Sequence, residues 1–403
     1  MAAHNEAATW MMNLLTGSPV LISLMATVAS LPFFLFTLPA GVLADKMNRQ
    51  EFVCAINIWL AAMAAGLAVL GWLRLLNPYL ILAGVFLLGV GFAFNAPAWT
   101  SIVSQMVSDG ELPSTATLSG LQLNISGIIG PVLGGFLIPS VGANFVFAVN
   151  AFCFLLVVLA IRRWKQPTVS INLLSESFFR SFGTIIRYVP GLQVVLARNF
   201  LFALFISVIP ALMPAVGLKV LHLSSSQLGL LFTSMGAGSV IGAVFVISWL
   251  RARFSPDSVT LSANLLIVLV YVLMAFVHQA ELFFVVAAVA GVGWTLSASE
   301  LWVAAQRAMP SWTRGRVNAA VIMISQGAIM LGSVIWGSAA AIVGPSSTLF
   351  AAAVLFLMGL LLSRRLSINF AGNPEESVSG VLSITEGPSS APTSTALTAL
   401  LPS

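Results

Sequence analysis

Long apolar runs separated by short polar breaks dominate this 403-residue chain and leave few folds open to it. A helix needs about 20 apolar residues to cross the hydrocarbon core of a bilayer, and its backbone must satisfy its own hydrogen bonds there. Eleven runs approach or exceed that length, so we predict an all-α, multi-pass membrane protein. The runs lie near 18–43, 52–74, 78–99, 119–139, 143–161, 199–218, 227–249, 258–277, 281–304, 317–343 and 346–363.

The composition argues against other classes of protein. Charged residues make up only 7% of the chain, whereas soluble globular proteins carry about 25%. Lys and Arg outnumber Asp and Glu by 17 to 12, but they are scattered between apolar runs and do not suggest a nucleic-acid surface. His4, His222 and His278 lie far apart, and the sequence has no phosphate-binding Gly-rich loop with Lys. We therefore expect no metal, no cofactor and no enzyme activity.

The bases predict which side of the membrane each loop faces. When the loop at 41–50 is placed in the cytoplasm, all of the 17 Lys and Arg residues except Arg74 and Lys219 fall on the cytoplasmic side. This distribution satisfies the positive-inside rule. The C-terminus is then cytoplasmic as well.

The loop from Gly41 to Gln50 reads Gly-Val-Leu-Ala-Asp-Lys-Met-Asn-Arg-Gln and directly follows the first run. It resembles the signature loop of the major facilitator superfamily, in which Gly-x-Leu-Ala-Asp is followed by bases. Asn48 stands where that pattern has a glycine, a replacement that is tolerable because Asn enters the left-handed region more easily than most residues. The resemblance implies a major facilitator fold, a transporter built of two bundles of six helices.

Three segments narrow the resemblance. Residues 15–45, 124–135 and 300–337 resemble the bacterial transmembrane secretion effector group, which includes enterobactin (siderophore) exporters and macrolide-efflux-like proteins. The likeness covers roughly residues 8–365. Many relatives have an arginine where Gly127 stands, so the resemblance leaves the residue that couples transport to protons open.

When the eleven runs are compared with the twelve helices of the superfamily fold, most of the first helix is missing. Residues 1–17 contain no Lys or Arg, which argues against a signal peptide, and residues 7–19 look like the outer end of that helix. We expect a truncated or mis-started copy, with a natural eleven-span protein as the alternative. The predicted divisions are a remnant of the first helix (1–17), an N-terminal bundle of five spans (18–161), a cytoplasmic central loop with an amphipathic helix (162–198), a C-terminal bundle of six spans (199–366) and a disordered cytoplasmic tail (367–403).

Small residues recur at corresponding places in the two halves, in the runs at 119–139 and 317–343. Such spacing lets helix backbones approach closely, and a proline can bend its helix. The first set also resembles the Gly-Pro-x-x-Gly-Gly element of exporters that exchange substrate for protons, although plain close packing explains it equally well. The residues are Gly127, Gly130, Pro131, Gly134 and Gly135 in the first run, and Gly327, Gly332 and Gly337 in the second.

The resemblance also implies a conformational latch at Asp45. In the family this acid faces the start of the eleventh helix, here near 316–318, where a helix N-terminus stabilises a carboxylate by about 0.3–1 kcal/mol. The alternative is a charge that only sets topology. The predicted latch residues are Gly41, Asp45, Lys46, Arg49, Arg314 and Arg316.

Glu300 is an acid well inside an apolar run, which makes it a candidate for proton coupling or for binding a cationic substrate. Pairing with Arg307 or contact with interfacial water is the alternative. The resemblance places a substrate cavity on the first, fourth, seventh and tenth helices of twelve, with lipid or neighbouring helices as the alternative surroundings. The candidate cavity residues are Phe92, Phe94, Asn95, Phe205, Pro210, Trp294, Thr295 and Ser299, and Asn124 and Gln326 are expected to form interhelical hydrogen bonds.

These features together favour a secondary transporter that exports small amphipathic molecules, drug-like or siderophore-like, by proton-driven alternating access. An importer, and a membrane protein that lost transport with its first helix, are the alternatives. The expected partners are the small-molecule substrate, the lipid bilayer and protons, with no nucleic acid. The expected state is a monomer in the bacterial inner membrane.

Overall fold

The computed structural model describes residues 2–16, 18–106, 126, 129–130, 132–163, 190–308, 314–363, 366 and 368, and the regular elements in these ranges are helices. The first half contains α1 (Ala2–Leu15), α2 (Pro19–Lys46), α3 (Arg49–Trp72), α4 (Pro78–Met106), α5 (Val132–Val141) and α6 (Ala143–Arg163). The second half contains α7 (Pro190–Ile206), α8 (Val208–Lys219), α9 (Ser225–Ile241), α10 (Ile247–Arg251), α11 (Pro256–Phe276), α12 (Ala280–Arg307), α13 (Arg314–Val343) and α14 (Pro345–Ser363).

Within the described ranges, 10 segments are long and apolar enough to cross a membrane. α7 and α8 form one of them with a break at Ser207, and α9 continues through a π-helical turn (Gly242–Val246) into α10 to form another. The prediction of an all-α, multi-pass membrane protein is confirmed. The remaining predicted run, 119–139, is described only in part, and α5 covers its last portion.

α1 begins earlier than the helical segment predicted at 7–19. It is helical from Ala2 and packs against α2, α4 and α6. Ala8 and Met12, about one turn apart, are fully buried together with the neighbouring Ala7, so one face of α1 belongs to the apolar core of the first half.

Asn48 directly precedes α3 as its N-cap, and its backbone is extended, so the tolerance of Asn for the left-handed region is not needed there. Its φ is −60° and its ψ is 111°, and its side-chain oxygen accepts hydrogen bonds from the backbone N–H groups of Gln50 and Glu51. Asn is a preferred residue at this N-cap position, because it satisfies N–H groups that the first turn of a helix leaves unpaired. Asn is therefore accepted at this position for its capping side chain, because Asn suits both backbone roles and the sequence pattern alone does not distinguish them.

The two halves repeat one packing plan. The pairs α2–α4, α3–α4 and α3–α6 in the first half correspond to α9–α12, α11–α12 and α11–α14 in the second. Gly142 (φ 87°) and Gly344 (φ 85°) each make the turn before the last helix of their half, in a conformation that costs glycine little. They stand 202 positions apart (344 minus 142). Each half encloses its own apolar core, and the halves meet mainly where α2 packs on α13.

The described bases lie mostly at one end of the helices, which we name the basic end and define by Arg162, Arg251 and Arg307. The opposite end carries Arg74 and Lys219, and we name it the outer end. In a bundle of alternating spans this arrangement agrees with the predicted distribution of bases.

The packed chain continues beyond α14 at the basic end. Arg198 forms an ion pair with Asp257 and also donates to the carbonyl oxygen of Leu366 at 3.0 Å. The N–H of Ile368 donates to the same aspartate at 3.1 Å, and Ile368 is 3% exposed. Ile368, assigned by the sequence to the tail, is therefore buried. The predicted amphipathic helix in 162–198 and the rest of the tail lie outside the described residues.

Candidate functional site

The predicted latch residues belong to helices on which the two halves meet. Gly41, Asp45 and Lys46 lie in the last turns of α2, Arg49 begins α3, and Arg314 and Arg316 lie in the first turn of α13. α2 and α13 pack against each other. The side chains of the five charged residues fall outside the described part, so the contact of Asp45 with α13 stays a prediction.

Glu300 pairs with Arg251, whereas the sequence analysis offered Arg307 as its structural partner. Nε of Arg251, the last residue of α10, donates to Oε1 of Glu300 in α12 at 2.6 Å. The Glu300 side chain is 3% exposed and that of Arg251 is 43% exposed. The guanidinium therefore reaches from the basic end to a buried acid, as long cationic side chains often do. This geometry corresponds to the structural alternative for Glu300.

Asn95 takes part in an interhelical contact that the second half repeats. Nδ2 of Asn57 in α3 donates to Oδ1 of Asn95 in α4 at 3.2 Å. Oγ of Ser297 in α12 donates to Oδ1 of Asn264 in α11 at 2.7 Å. Ser297 follows Asn95 by 202 positions (297 minus 95), and Asn264 follows Asn57 by 207 (264 minus 57). The structure thus places Asn95 in a polar contact that belongs to the shared plan of the halves.

A short repeat that the sequence analysis missed lies beside these contacts. Gly89-Val-Gly91-Phe92 in α4 and Gly291-Val-Gly293-Trp294 in α12 are also 202 positions apart (291 minus 89). A Cβ at Gly89 would lie 2.8 Å from Pro32 of α2. A Cβ at Gly291 would overlap the carbonyl oxygen of Met235 in α9. Comparing the chain with itself at this offset would have shown the pattern.

Phe92 and Phe94 pack between helices of the first half. The ring of Phe92 lies 5.8 Å from that of Phe154 in α6. The ring of Phe94 lies 5.7 Å from that of Phe36 in α2 and 6.3 Å from that of Phe52 in α3. Both side chains are half-buried, so each has a packing role beside any role in a cavity.

Phe205 lies in the core of the second half. It is 7% exposed, and its ring stacks on Phe356 with centroids 4.8 Å apart. Its carbonyl oxygen accepts a hydrogen bond from the hydroxyl of Tyr271 at 2.7 Å. The ring that the resemblance assigned to the cavity wall therefore packs among helices in this conformation. Pro210 on α8 is half-buried.

The candidates on α12 adjoin the π-helical turn. Trp294, Thr295 and Ser299 are half-buried, and a Cβ at Gly242, which begins the turn, would lie 3.6 Å from Cβ of Thr295. Such π-helical turns are rare and are frequently found at functional sites. The distorted part of the span from α9 to α10 thus faces the helix on which the sequence analysis placed three cavity candidates.

The predicted packing glycines on α13 lie at three helix contacts. A Cβ at Gly327 would lie 2.6 Å from the ring of Phe34 in α2, and one at Gly337 would overlap Oγ of Ser23 in the same helix. Gly332 faces Ser207 and α7, within its own half. Gln326 on α13 is half-buried, and Asn124, Gly127 and Pro131 lie outside the described residues.

The predicted glycines next to and within α5 contact helices of different halves. Gly130 is helical and lies just before α5. A Cβ at Gly135 would lie 3.0 Å from Cα of Gly229 in α9, which makes this a contact between the halves. Gly134 instead faces Glu6 of α1, whose Oε2 a Cβ would overlap.

Lys219 joins the two halves at the outer end. Its Nζ donates to the carbonyl oxygen of Thr16, just after α1, at 3.1 Å. A cation there also interacts favourably with the negative end of the α1 dipole. From the sequence, Lys219 was only an exception to the charge rule, because a contact 203 positions away leaves no local signal.

Two buried ionisable residues in α1 were not predicted as functional candidates. His4 and Glu6 are each 1% exposed. Nδ1 of His4 lies 3.2 Å from Nδ2 of Asn150 in α6, whereas neither carboxyl oxygen of Glu6 has a hydrogen-bond partner among the described residues. The sequence offered one signal for Glu6, which is an acid placed directly before the apolar residues of a predicted helix. In the part of the chain that the structure describes, no group of three or more His, Cys, Asp or Glu side chains is arranged to hold a metal.

Comparison with known proteins agrees with this architecture. The macrolide efflux protein A of Streptococcus pyogenes is 21% identical over 236 residues, which cover 57% of this chain and 58% of that protein. The enterobactin exporter EntS of Citrobacter koseri is 24% identical over 239 residues, which cover 57% of this chain and 56% of the exporter. The chain therefore matches less than two thirds of the length of these relatives.

A solved structure shares the fold over nearly the whole chain. The bacterial homologue of the human lysosomal transporter Spinster, in an inward-facing and occupied conformation, superposes with a TM-score of 0.69 at 13% identity. The match covers 92% of this chain and 94% of that one. The family model of the transmembrane secretion effectors matches residues 1–380. The chain therefore belongs to the transmembrane secretion effector family and has the fold of the major facilitator superfamily.

Proposed function

We propose that this protein exports small amphipathic molecules across the bacterial inner membrane by alternating access, driven by the proton gradient. The basic end then faces the cytoplasm, and the protein works as a monomer in the lipid bilayer. The observation that carries the proposal is the pair of repeat-related halves with separate cores. Two such bodies can rock against each other and expose a central site to one side at a time.

Three contacts between the halves support a state that is closed at the outer end. Lys219 binds the carbonyl oxygen of Thr16. Ser23 of α2 rests on Gly337 of α13, and Gly135 of α5 lies against α9. Rocking in the exporting direction has to break these contacts, and we infer that Asp45 then latches the basic end against the start of α13. Asp45→Asn is expected to insert normally and to reduce transport.

The proposed substrate class rests on the relatives and on the side chains along the two bundles. One relative is a macrolide efflux protein and the other an enterobactin exporter, and both names denote bulky organic molecules. Half-buried Phe92, Phe94, Trp294 and Thr295 supply aromatic and apolar surface with few polar groups. Sites for bulky amphipathic ligands are typically lined in this way.

A disulfide across the outer end tests alternating access. In a chain without Cys54 and Cys153, Ser23→Cys with Gly337→Cys joins α2 to α13, where the Cβ atoms would lie 2.8 Å apart before any adjustment. A small outward movement of the two helices gives the Cβ–Cβ distance of about 3.8 Å that a disulfide needs. We expect oxidation to stop efflux of labelled erythromycin, a macrolide, and a reductant to restore it.

The matched control joins residues within one half. Ser207→Cys with Gly332→Cys links the break between α7 and α8 to α13, within the second half. Because a Cβ at Gly332 also meets the carbonyl oxygen of Leu204, efflux by the reduced double variant is measured first as its own reference. Oxidation of this pair should leave efflux unchanged, because both helices move together. Efflux that survives the link between the halves, with the disulfide verified by mass spectrometry, refutes the rocking mechanism.

The alternatives differ in direction and in energy source. In inverted membrane vesicles an exporter accumulates the macrolide, or enterobactin, when the lumen is acidified, and an uncoupler abolishes the accumulation. An importer gives accumulation only in right-side-out vesicles. A protein without transport activity gives neither result, although it inserts normally.

A further inference from the structure

Glu6 occupies a position in which a carboxyl group is costly. It is 1% exposed, and its two carboxyl oxygens have no hydrogen-bond partner among the described residues. It lies nine residues before the end of α1, or about 14 Å at a rise of 1.5 Å per residue. That depth is close to the middle of a hydrocarbon core about 30 Å thick. Acids at such depth are expensive to bury and are candidates for function.

The space around the Glu6 carboxyl suits a proton better than a larger cation. Its Oε2 lies so close to Gly134 of α5 that a Cβ on the glycine would overlap it. The same Cβ on Gly134 would lie 3.2 Å from Cα of Ala3 in α1. An organic cation or a hydrated metal ion needs a volume that this contact does not leave. A proton needs none.

We propose that Glu6 is the residue that takes up and releases the coupling proton, and that Gly134 provides the space for its carboxyl group. The inference rests on the proposed proton-driven export and names the group that couples it. Protonated, Glu6 is neutral and can remain in the apolar core of the first half. Deprotonated, it needs water or a donor and favours a conformation that provides one.

α1 is placed to connect this proton with the rocking of the halves. It packs on α2, α4 and α6 of the first half and also contacts α9 of the second. Its C-terminal end is held by Lys219 of the second half through the carbonyl oxygen of Thr16. Movement of the second half therefore acts on the helix that carries Glu6 and alters access to its carboxyl group.

Other ionisable groups are not in a position to neutralise Glu6 in the described part of the chain. His4 is two positions away, and residues with that spacing lie on different faces of a helix; its ring contacts Asn150 and Phe147 of α6. Glu300, the earlier candidate for coupling, is bound to Arg251. The remaining ionisable residues of the elements that pack on α1 are Tyr79 in α4, Cys153, Arg162 and Arg163 in α6, and Asp45 and Lys46 at the basic end of α2, whereas α9 has none and neither does α5, which faces Glu6.

The first test reads protonation without transport. Infrared difference spectra of the full chain in lipid are recorded between neutral and alkaline buffer, where exposed carboxyl groups, with a pKa of about 4, are already ionised. The difference then reports only carboxyl groups that burial keeps protonated at neutral pH. Glu281→Gln is the matched control for Glu6→Gln, because Glu281 is an exposed acid in the first turn of α12. We expect a titrating protonated-carboxyl band in the wild type and in Glu281→Gln, and its loss in Glu6→Gln. A band that persists unchanged in Glu6→Gln overturns the proposal.

The second test reads coupling. In proteoliposomes, accumulation of labelled erythromycin driven by a pH gradient should fall at least tenfold in Glu6→Gln, whereas exchange without a gradient should persist. Glu6→Asp should restore part of the driven accumulation. Driven accumulation at the wild-type level in Glu6→Gln refutes the assignment. If the wild type moves no macrolide, the proposed substrate fails, and the infrared result still decides whether Glu6 binds a proton.

Discussion

Arg251 at the end of α10 donates from Nε to Oε1 of Glu300 in α12 at 2.6 Å, and the carboxylate is almost completely buried while the guanidinium remains partly in water. The pair fastens two helices of the second half at the basic end. It also accounts for an acid inside an apolar run, because a buried charge is tolerated when it is paired and hydrogen-bonded. Replacing Arg251 and replacing Glu300 should therefore have different effects on stability.

Arg251→Ala should destabilise the protein because it leaves Glu300 buried without its partner. Breaking a buried pair typically costs about 3–5 kcal/mol, and partial exposure of Arg251 reduces the expected loss to about 1–3 kcal/mol. Arg253→Ala is the control: this exposed base stacks on Trp249 at 4.6 Å and should cost about 0.5–1 kcal/mol. Thermal unfolding in detergent compares the two. Equal shifts in midpoint would contradict a structural role for the pair.

Gly291→Ala should disrupt the contact of α12 with α9, because the added methyl overlaps the carbonyl oxygen of Met235. Overpacking of this kind costs about 1–3 kcal/mol or more. Gly66→Ala is a suitable control, since no atom lies within 4 Å of the new Cβ in the interior of α3. That change should stabilise the helix by about 0.5–1 kcal/mol. Opposite signs of the shift in unfolding midpoint are expected, and a harmless Gly291→Ala would disprove the close approach.

Asn48→Ala should weaken the start of α3 by about 0.5–2 kcal/mol, whereas Asn48→Gly should cost only a few tenths. The difference measures the cap, because glycine is also acceptable at an N-cap and alanine is not. A left-handed residue would behave differently, since glycine would then stabilise the chain relative to Asn. Unfolding midpoints of the two variants decide between these outcomes.

Lys219→Met should open the outer end more often, because it removes the donor to the carbonyl oxygen of Thr16. A contribution of about 0.3–1 kcal/mol corresponds to a roughly two- to fivefold change in population. Spin labels at Leu75 and His278, which are exposed at the outer ends of the two halves, report the separation by pulsed electron resonance. Arg74→Met removes an exposed base of the first half at the same outer end and should leave the distance distribution unchanged. An equal effect of both variants would show that net charge, and not the contact, is responsible.

The spans were predictable because they obey a physical length. A bilayer requires about 20 apolar residues per crossing, and ten segments appear where the apolar runs lie. The presence of two related halves was predictable from the sequence, but the motif Gly-Val-Gly that begins at positions 89 and 291 was not recognised. Side-chain partners were less accessible to prediction. Whether Glu300 pairs with Arg251 or with Arg307 depends on how α10 and α12 are rotated about their axes. The pattern of apolar residues does not determine that rotation.

Local chemistry misled the sequence analysis where one residue type serves two purposes. Asn48 fits a left-handed turn and an N-cap equally well, and only its torsion angles distinguish them. Glu6 was overlooked for a different reason. Residues 1–17 were taken as a remnant of a helix, so an acid there was not weighed as an intramembrane charge, although the segment is packed into the first half.

The position 202 residues before Glu300 is occupied by Ala98, which is fully buried on α4. One half therefore carries an ion pair to Arg251 where its counterpart carries a methyl group. The two halves share one packing plan but differ in this ion pair, so they should not deform equally. Local opening of a protein starts where stabilising contacts are fewest. We therefore expect amide hydrogens at the basic ends of α2 and α4 to exchange with solvent sooner than those at the basic ends of α10 and α12, and the first half to be the more easily deformed of the two.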